Sequence, residues 1–261
     1  MRTIAVINQK GGVGKTTTTV NLGHALSLQG KRVMLVDLDP QGHLATCLGV
    51  YRAPTEGVDS VLLEGSTLSE RAVATRELLQ LVPAGKNLQA FESVAGGVER
   101  AQILRNSIQQ SPPDVDYLLF DCPPSAGLLD VNAVVASDDL LVPVAGDFLS
   151  LTGLAKLMGT VAKLERLRDR RLKKWVFLNR FVARRRLSKE VFGKILEHFP
   201  QSLLRTTVRE AAVLAECAGA GRTVFEYRAK SKSAEEFRAL ADDLLQGKVM
   251  QDEQRQDCYV A

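Results

Sequence analysis

Residues 9–17 read Gln-Lys-Gly-Gly-Val-Gly-Lys-Thr-Thr, directly after the apolar run Ile4-Ala5-Val6-Ile7 and directly before a segment of helical period. Few stretches of nine residues limit a fold as tightly. Glycines let successive backbone N–H groups converge on one point, and a helix that starts at once adds the positive end of its dipole. Strand, glycine loop and helix N-terminus in that order form a cradle for phosphate. Gly11, Gly12, Val13 and Gly14 supply amides, Lys15 reaches the outer phosphates, Thr16 offers a hydroxyl to Mg²⁺, and Thr17 follows in the first helical turn. The general pattern G-x-x-x-x-G-K-[ST] is not met in full. Its first glycine falls on Gln9, and a second lysine, Lys10, stands at the head of the loop.

The chain goes on alternating in the same way. Short runs rich in Val, Ile and Leu at 3–8, 32–37, 78–83, 115–121, 139–144 and 174–179 read as strands. Segments 15–29, 96–110, 128–136, 151–168, 188–198, 209–218 and 233–245 read as helices, with Gly30 as a stop. The expectation is an α/β fold: a three-layer sandwich, a mostly parallel twisted sheet with helices on both faces, as in P-loop NTPases. No repeat or linker divides the chain, and one core suffices up to roughly 250–300 residues. Residues 1–247 are therefore expected to form a single domain, with 248–261 a frayed polar tail.

Several classes drop out. No run of about 18 apolar residues is long enough to span a membrane, and the N-terminus carries no apolar signal core, so a cytoplasmic location is expected. Cys47, Cys122, Cys217 and Cys258 form no C-x-x-C pair and have no matching histidine spacing, which indicates neither a zinc site nor a disulfide framework.

The loop closely resembles the deviant Walker A motif K-G-G-x-G-K-[ST] of the ParA/MinD family of P-loop ATPases. Asp37-Leu38-Asp39-Pro40-Gln41-Gly42 is similar to that family's switch I, and Asp121-Cys122-Pro123-Pro124-Ser125 to its Walker B and switch II. Residues 221–227 and 231–245 resemble the closing segment of the small ParA, or Soj-like, branch. The resemblance implies ATP and Mg²⁺ as cofactors. Because phosphoryl transfer to water depends on positioning and charge neutralisation, roles follow by place. Lys15 and the loop amides would hold the nucleotide. Thr16 and Asp121 would hold the metal, Asp39 would orient water or join the metal, and Asp37 would support the metal shell. Lys10 matches the signature lysine, which in this family reaches the phosphates bound by the partner subunit, so that ATP holds a homodimer and ADP favours monomers. Asn179 matches a position that recognises the adenine edge, and Asn132 matches a motif asparagine with no role assigned.

Charge adds the next expectation. The net charge is only +4, but residues 163–189 hold twelve of the 34 basic residues and two of the 30 acidic ones, leaving 22 basic against 28 acidic elsewhere. Part of this run, 163–174, reads as a solvated helix face with Leu164, Leu167 and Leu172 turned inward. Three adjacent arginines, Arg184, Arg185 and Arg186, followed by Lys189, are more comfortable beside an anion, and DNA phosphates would supply one without regard to sequence. Arg205 and Arg209 are further candidates for DNA contact. Small ParA proteins bind nucleoid DNA nonspecifically as ATP dimers, and a ParB-like or small basic adaptor protein stimulates hydrolysis. The resemblance therefore implies a nucleoid-associated ATPase that positions a cargo such as a plasmid, a chromosome origin, a carboxysome or a chemotaxis cluster.

Rival readings make different demands. A MinD-like membrane ATPase needs a basic amphipathic C-terminal helix, whereas residues 246–261 include Asp252, Glu253 and Asp257 and make no apolar stripe. A nitrogenase-iron-protein-like carrier needs a second cysteine in a cluster-binding setting besides Cys122. A P-loop metabolic enzyme leaves the arginines unexplained.

Overall fold

Alternation along the strands decides the architecture. In β1 (Arg2–Val6), Ile4 and Val6 enter one hydrophobic cluster and Ala5 the other. In β2 (Val33–Asp37), Val33 and Leu35 take the first side, and Met34 and Val36 the second. Each strand is buried on both faces, so helices must cover both. The computed structural model describes residues 1–93, 97–168 and 170–250.

After β1 comes α1 (Lys15–Ser27), and after β2 a string of short helices, α2 (His43–Cys47), α3 (Val58–Glu64) and α4 (Leu68–Arg71). Then follow β3 (Val73–Arg76), β4 (Leu79–Val82), α5 (Leu88–Ser93), a 3₁₀ turn (Val98–Gln102), α6 (Ile103–Gln110), β5 (Tyr117–Asp121), α7 (Leu128–Ala136) and β6 (Asp139–Ala145). The last part runs α8 (Phe148–Leu164), a second 3₁₀ turn (Glu165–Leu167), β7 (Lys173–Asn179), α9 (Arg186–His198), α10 (Ala212–Gly219), α11 (Val224–Tyr227) and α12 (Lys232–Gln246). The strand order is β3-β4-β2-β5-β1-β6-β7, parallel throughout except for β3 against β4. Helices α1, α2, α10, α11 and α12 supply the cluster on one face. Helices α3 to α9 supply the other. The three-layer α/β sandwich is as the alternation predicts.

Differences lie at the margins and have local causes. β3 was not expected, because four residues on a sheet edge, half-buried, show no apolar alternation. Leu78, expected to open a strand, instead has φ 56° and turns the chain into β4 at Leu79. The helix expected at 209–218 begins only at Ala212. Residues 208–210 lie beside β7, where Val208 N–H donates to the Leu178 carbonyl at 2.8 Å and Glu210 N–H to that of Phe181 at 3.2 Å. The helix expected at 151–168 starts earlier, at Phe148, because the Asp147 carboxylate accepts from Ser150 N–H and caps it. It ends in a 3₁₀ turn, with Leu164 and Leu172 packed on the core, while the Leu167 side chain lies outside the described residues. The expected 96–110 helix divides into the 3₁₀ turn and α6, and its start at Gly96 lies outside the described residues. The tail is anchored at its beginning rather than frayed: Val249 pairs with Leu204, and Met250 is buried with its N–H on the Leu203 carbonyl. Residues 251–261, Cys258 among them, lie outside the described residues.

No described helix is long and apolar enough to cross a membrane. The functional loops all leave the C-terminal ends of β1, β2, β5, β6 and β7, the rim where open α/β sheets bind ligands.

Candidate functional site

The phosphate loop is braced from both flanks. Asn8, fully buried, donates from Nδ2 to the Pro143 carbonyl at 2.8 Å and accepts from Lys10 N–H at 3.0 Å. Gly12 and Gly14 sit at φ 73° and 88°, and Gly14 caps α1. A Cβ on Gly14 would stand 2.4 Å from Asn179 Nδ2. That amide donates to the Val13 carbonyl at 2.7 Å, and Asn179 Oδ1 accepts from Arg180 N–H. Asn179, expected at the adenine edge, thus lines the cleft with most of its amide engaged in holding the loop.

The loop opens on a cleft of about 700 Å³ lined by Gly11, Gly12, Gly14, Lys15, Thr16, Thr17 and Asp39, and on its far side by alanines of α10. Lys15 is nearly buried, with its Nζ 3.3 Å from the Lys10 carbonyl. Burial lowers its pKa, and the carboxylates of Asp121, Asp130 and Asp39 oppose that shift. α1 begins without an acidic residue in its first turn, so its N–H groups remain available to an anion.

Two carboxylates end neighbouring strands in register, Asp37 on β2 and Asp121 on β5. Both are buried, but they are satisfied differently. Asp37 accepts from Asp39 N–H at 3.0 Å and Leu44 N–H at 3.1 Å, so both oxygens hold the turn that leads into α2. Asp121 Oδ1 accepts from Thr19 at 3.1 Å, while its Oδ2 is buried with no hydrogen-bond partner. Desolvation pushes Asp121 up to about 7, the Thr16 and Thr19 hydroxyls and Lys15 pulling the other way. Desolvation, then the charge of Asp121, raises Asp37 well above the usual carboxylate range. A buried carboxylate oxygen without a partner, close to a threonine hydroxyl and the half-buried Asp39, is a donor set suited to a hard divalent cation. Asp39 accepts from Gln41 N–H, which fixes its turn at the cleft mouth. Thr16, Asp121 and Asp39 fit Mg²⁺, and Asp37 holds the backbone around them.

Sequence reasoning missed Asp130. On α7 it is 5% exposed, its Oδ1 has no partner, and desolvation pushes it up to about 8 against the pull of Lys15, with Glu92 and Asp39 adding to the rise. Its signal was an acidic residue inside a helix otherwise apolar but for Asn132. Asn132, in contrast, joins α7 to the preceding segment: its Nδ2 donates to the Arg100 and Leu128 carbonyls, and its Oδ1 accepts from Leu104 N–H.

Lys10 points away from the cleft. Its Nζ donates to both Asp147 oxygens, at 2.6 and 2.7 Å, and to Ser150 Oγ at 3.1 Å. The lysine that resembles a cross-subunit ligand is held by its own chain.

The basic residues divide. Arg184 and Arg185 end the turn from β7 into α9, and Arg186 and Lys189 lie in the first turn of that helix, the three arginines exposed. Arg186 reaches Glu190 at 2.8 Å, and Arg185 lies 3.8 Å from Glu210. The other two candidates lie apart from them. Arg205 is exposed on the segment beside β7, and Arg209 lines the nucleotide cleft with its Nε 2.6 Å from Glu236. Of the earlier run, Arg168 caps the carbonyls of Val134 and Val135 at the end of α7, and Lys174 pairs with Glu165 at 2.8 Å, so these hold elements together.

Comparison with known proteins follows the same lines. An AAA-domain family model matches residues 1–174. The Soj sporulation initiation inhibitor of Bacillus subtilis is 35% identical over 245 residues, covering 92% of this chain and 97% of Soj. The chain belongs to the ParA/MinD family of P-loop ATPases. Among other ParA-type relatives, the chromosome partitioning protein ParA of Caulobacter vibrioides is 34% identical over 251 residues, covering 94% of each chain. A solved Mycobacterium smegmatis structure, described as cobyrinic acid a,c-diamide synthase with bound ADP and magnesium, is 30% identical with a TM-score of 0.80, covering 96% of this chain and 99% of that one.

Proposed function

We propose that this chain is a Mg²⁺-dependent ATPase that dimerises on ATP, binds DNA without sequence preference, and hydrolyses ATP slowly under stimulation by a partner protein to position a cargo on the nucleoid. The unpartnered Asp121 oxygen beside the phosphate loop carries the catalytic half of this reading. Lys15, the loop amides and the α1 N-terminus bind and orient the phosphates, Asp39 holds the attacking water, and the Thr19 hydroxyl keeps Asp121 in place. When bound, Mg²⁺ neutralises phosphate charge at Thr16, Asp121 and Asp39.

The association half rests on Lys10. Its ion pair with Asp147 is about one-third exposed on both sides, and pairs in such surroundings contribute about 1 kcal/mol or less. A phosphate group of a second subunit can therefore compete for the ammonium. The DNA half rests on the arginine turn, which a dimer presents twice. The MinD-like alternative is disfavoured by α12, whose apolar stripe of Phe237, Leu240, Ala241 and Leu244 is buried in the core.

The test compares ATP-loaded with ADP-loaded protein by sedimentation and by DNA gel shift. ATP is expected to give dimers that shift DNA, ADP monomers that do not, and Lys10→Ala monomers with both. Equal DNA affinity in the two states overturns the switch. The M. smegmatis likeness motivates a second reading, a carboxylate-activating synthase. ATP turnover that appears only when an organic acid acceptor is supplied would favour it.

A further inference from the structure

Glu210 stands between the cleft and the basic turn. It lines the nucleotide cleft and also a smaller cavity of about 240 Å³ behind the phosphate loop, which Lys10, Asp147, Arg180 and Arg185 border. Its Oε1 accepts from Arg180 Nη2 at 2.6 Å, and its Oε2 lies 3.8 Å from Arg185 Nη1. Arg180 Nη1 donates in turn to the Gly12 carbonyl at 2.9 Å. One series of contacts therefore runs from the phosphate loop through Arg180 and Glu210 to the basic turn. The backbone of Arg180 is held at φ 51°, a left-handed conformation that a non-glycine residue keeps only where its surroundings determine it. Here Asn179 Oδ1 accepts its N–H, and the guanidinium is tied at both ends.

Two cations share one carboxylate, unevenly. Three other cations nearby have carboxylates of their own: Lys10 has Asp147, Arg186 has Glu190 and Arg209 has Glu236. Among the described ion pairs, only Glu210 joins the loop's arginine to an arginine of the turn. A phosphodiester that takes Arg185 leaves Glu210 wholly to Arg180, and so changes how the guanidinium holds the Gly12 carbonyl.

We propose that Glu210 is a positioning residue shared by the two sites: through Arg180 it sets the phosphate loop, and through Arg185 it limits the charge the turn offers, so that a polyanion bound at the turn is felt by the nucleotide. This rests on the reading of the turn as a DNA-facing surface. Binding free energies are coupled reciprocally, so one titration measures the effect. The affinity of full-length protein for a fluorescent, non-hydrolysable ATP analogue is measured with and without a short DNA duplex, and again with heparin as a polyanion that is not a nucleic acid.

In the wild-type chain the polyanion is expected to change nucleotide affinity by about fivefold or more. In Glu210→Gln that ratio falls to about one. The duplex itself binds more tightly, with a salt dependence steeper by about one phosphate contact, since a competing carboxylate is gone. Glu210→Asp restores the ratio, whereas a merely structural role would weaken nucleotide binding equally with and without polyanion. An unchanged ratio in Glu210→Gln overturns the proposal, as does a wild-type ratio of one with duplex bound. Coupling seen with heparin but no duplex binding would sink the DNA reading and leave Glu210 standing. If neither polyanion binds at low salt, both fall.

Discussion

The phosphate-loop rim and the basic turn lie side by side at the same end of the sheet, yet they are built on opposite terms. Around the loop the bracing side chains are buried and paired, Asn8 with the Pro143 carbonyl, Asn179 with that of Val13 and Asp37 with Leu44 N–H, while Asp121 Oδ2 and Asp130 Oδ1 have no partner and feel the charge of Lys15. At the turn the arginines are exposed, and two of them lean on Glu210 and Glu190 across solvent. One surface is costly to assemble and rigid. The other is held together weakly and can exchange partners.

The largest effect should come from removing the unpartnered oxygen. Asp121→Asn is expected to lower kcat for ATP hydrolysis by about a hundred- to a thousandfold, measured by phosphate release. A variant within a few-fold of wild type would erase the special status of the rim. Reversing Arg184, Arg185 and Arg186 to Glu together should leave the phosphate loop able to bind ATP, with its affinity shifted about fivefold through Glu210. It should reduce the salt slope of DNA binding by roughly three. Unchanged affinity at low salt would move the DNA surface elsewhere.

Protonation offers a test of the rim alone. Asp121 and Asp130 are raised to about 7 and about 8 by burial, so the folded chain keeps protons that the unfolded chain releases near pH 4. The resulting stability is fully present below that range and is lost as pH rises through 7 and 8. Ligand-free protein should lose about 5 °C of Tm between pH 6 and pH 9, and Asp121→Asn should flatten the curve. A Tm that rises over this interval would contradict the buried carboxylates. The smallest pair of effects contrasts the two surfaces directly. Asn179→Ala leaves the Val13 carbonyl without its donor and should cost about 1–3 kcal/mol in denaturant unfolding, whereas Arg186→Ala should cost less than about 0.5 kcal/mol.

What could be read from the chain follows the same division. The loop and the strand-end places of Asp39 and Asp121 were legible because converging amides and a carboxylate at a strand end allow few residue types, and each of the three motifs is continuous in sequence. The sheet and its layers were legible because the strands are buried on both faces. β3 was not, since an edge strand of four residues carries no pattern. Nor was the second task of Asn179, whose partner Val13 lies 166 positions away. The run of basic residues read as one feature but serves several: Arg168 closes a helix, Lys174 pins a turn, and Arg185 shares Glu210. Charge counted along the chain does not reveal which cations already have anions, because the anions come from other elements.

The contact between Gly14 and Asn179 reaches into how such a sequence can drift. Any side chain at position 14 would meet both a left-handed backbone and an amide nitrogen 2.4 Å from its Cβ. A smaller residue at 179 would relieve only the second obstacle, while freeing the loop it holds. Descendants of this chain are therefore expected to keep the two positions together or change them together, and a library randomised at both should return far fewer functional pairs than the product of the two single-site tolerances.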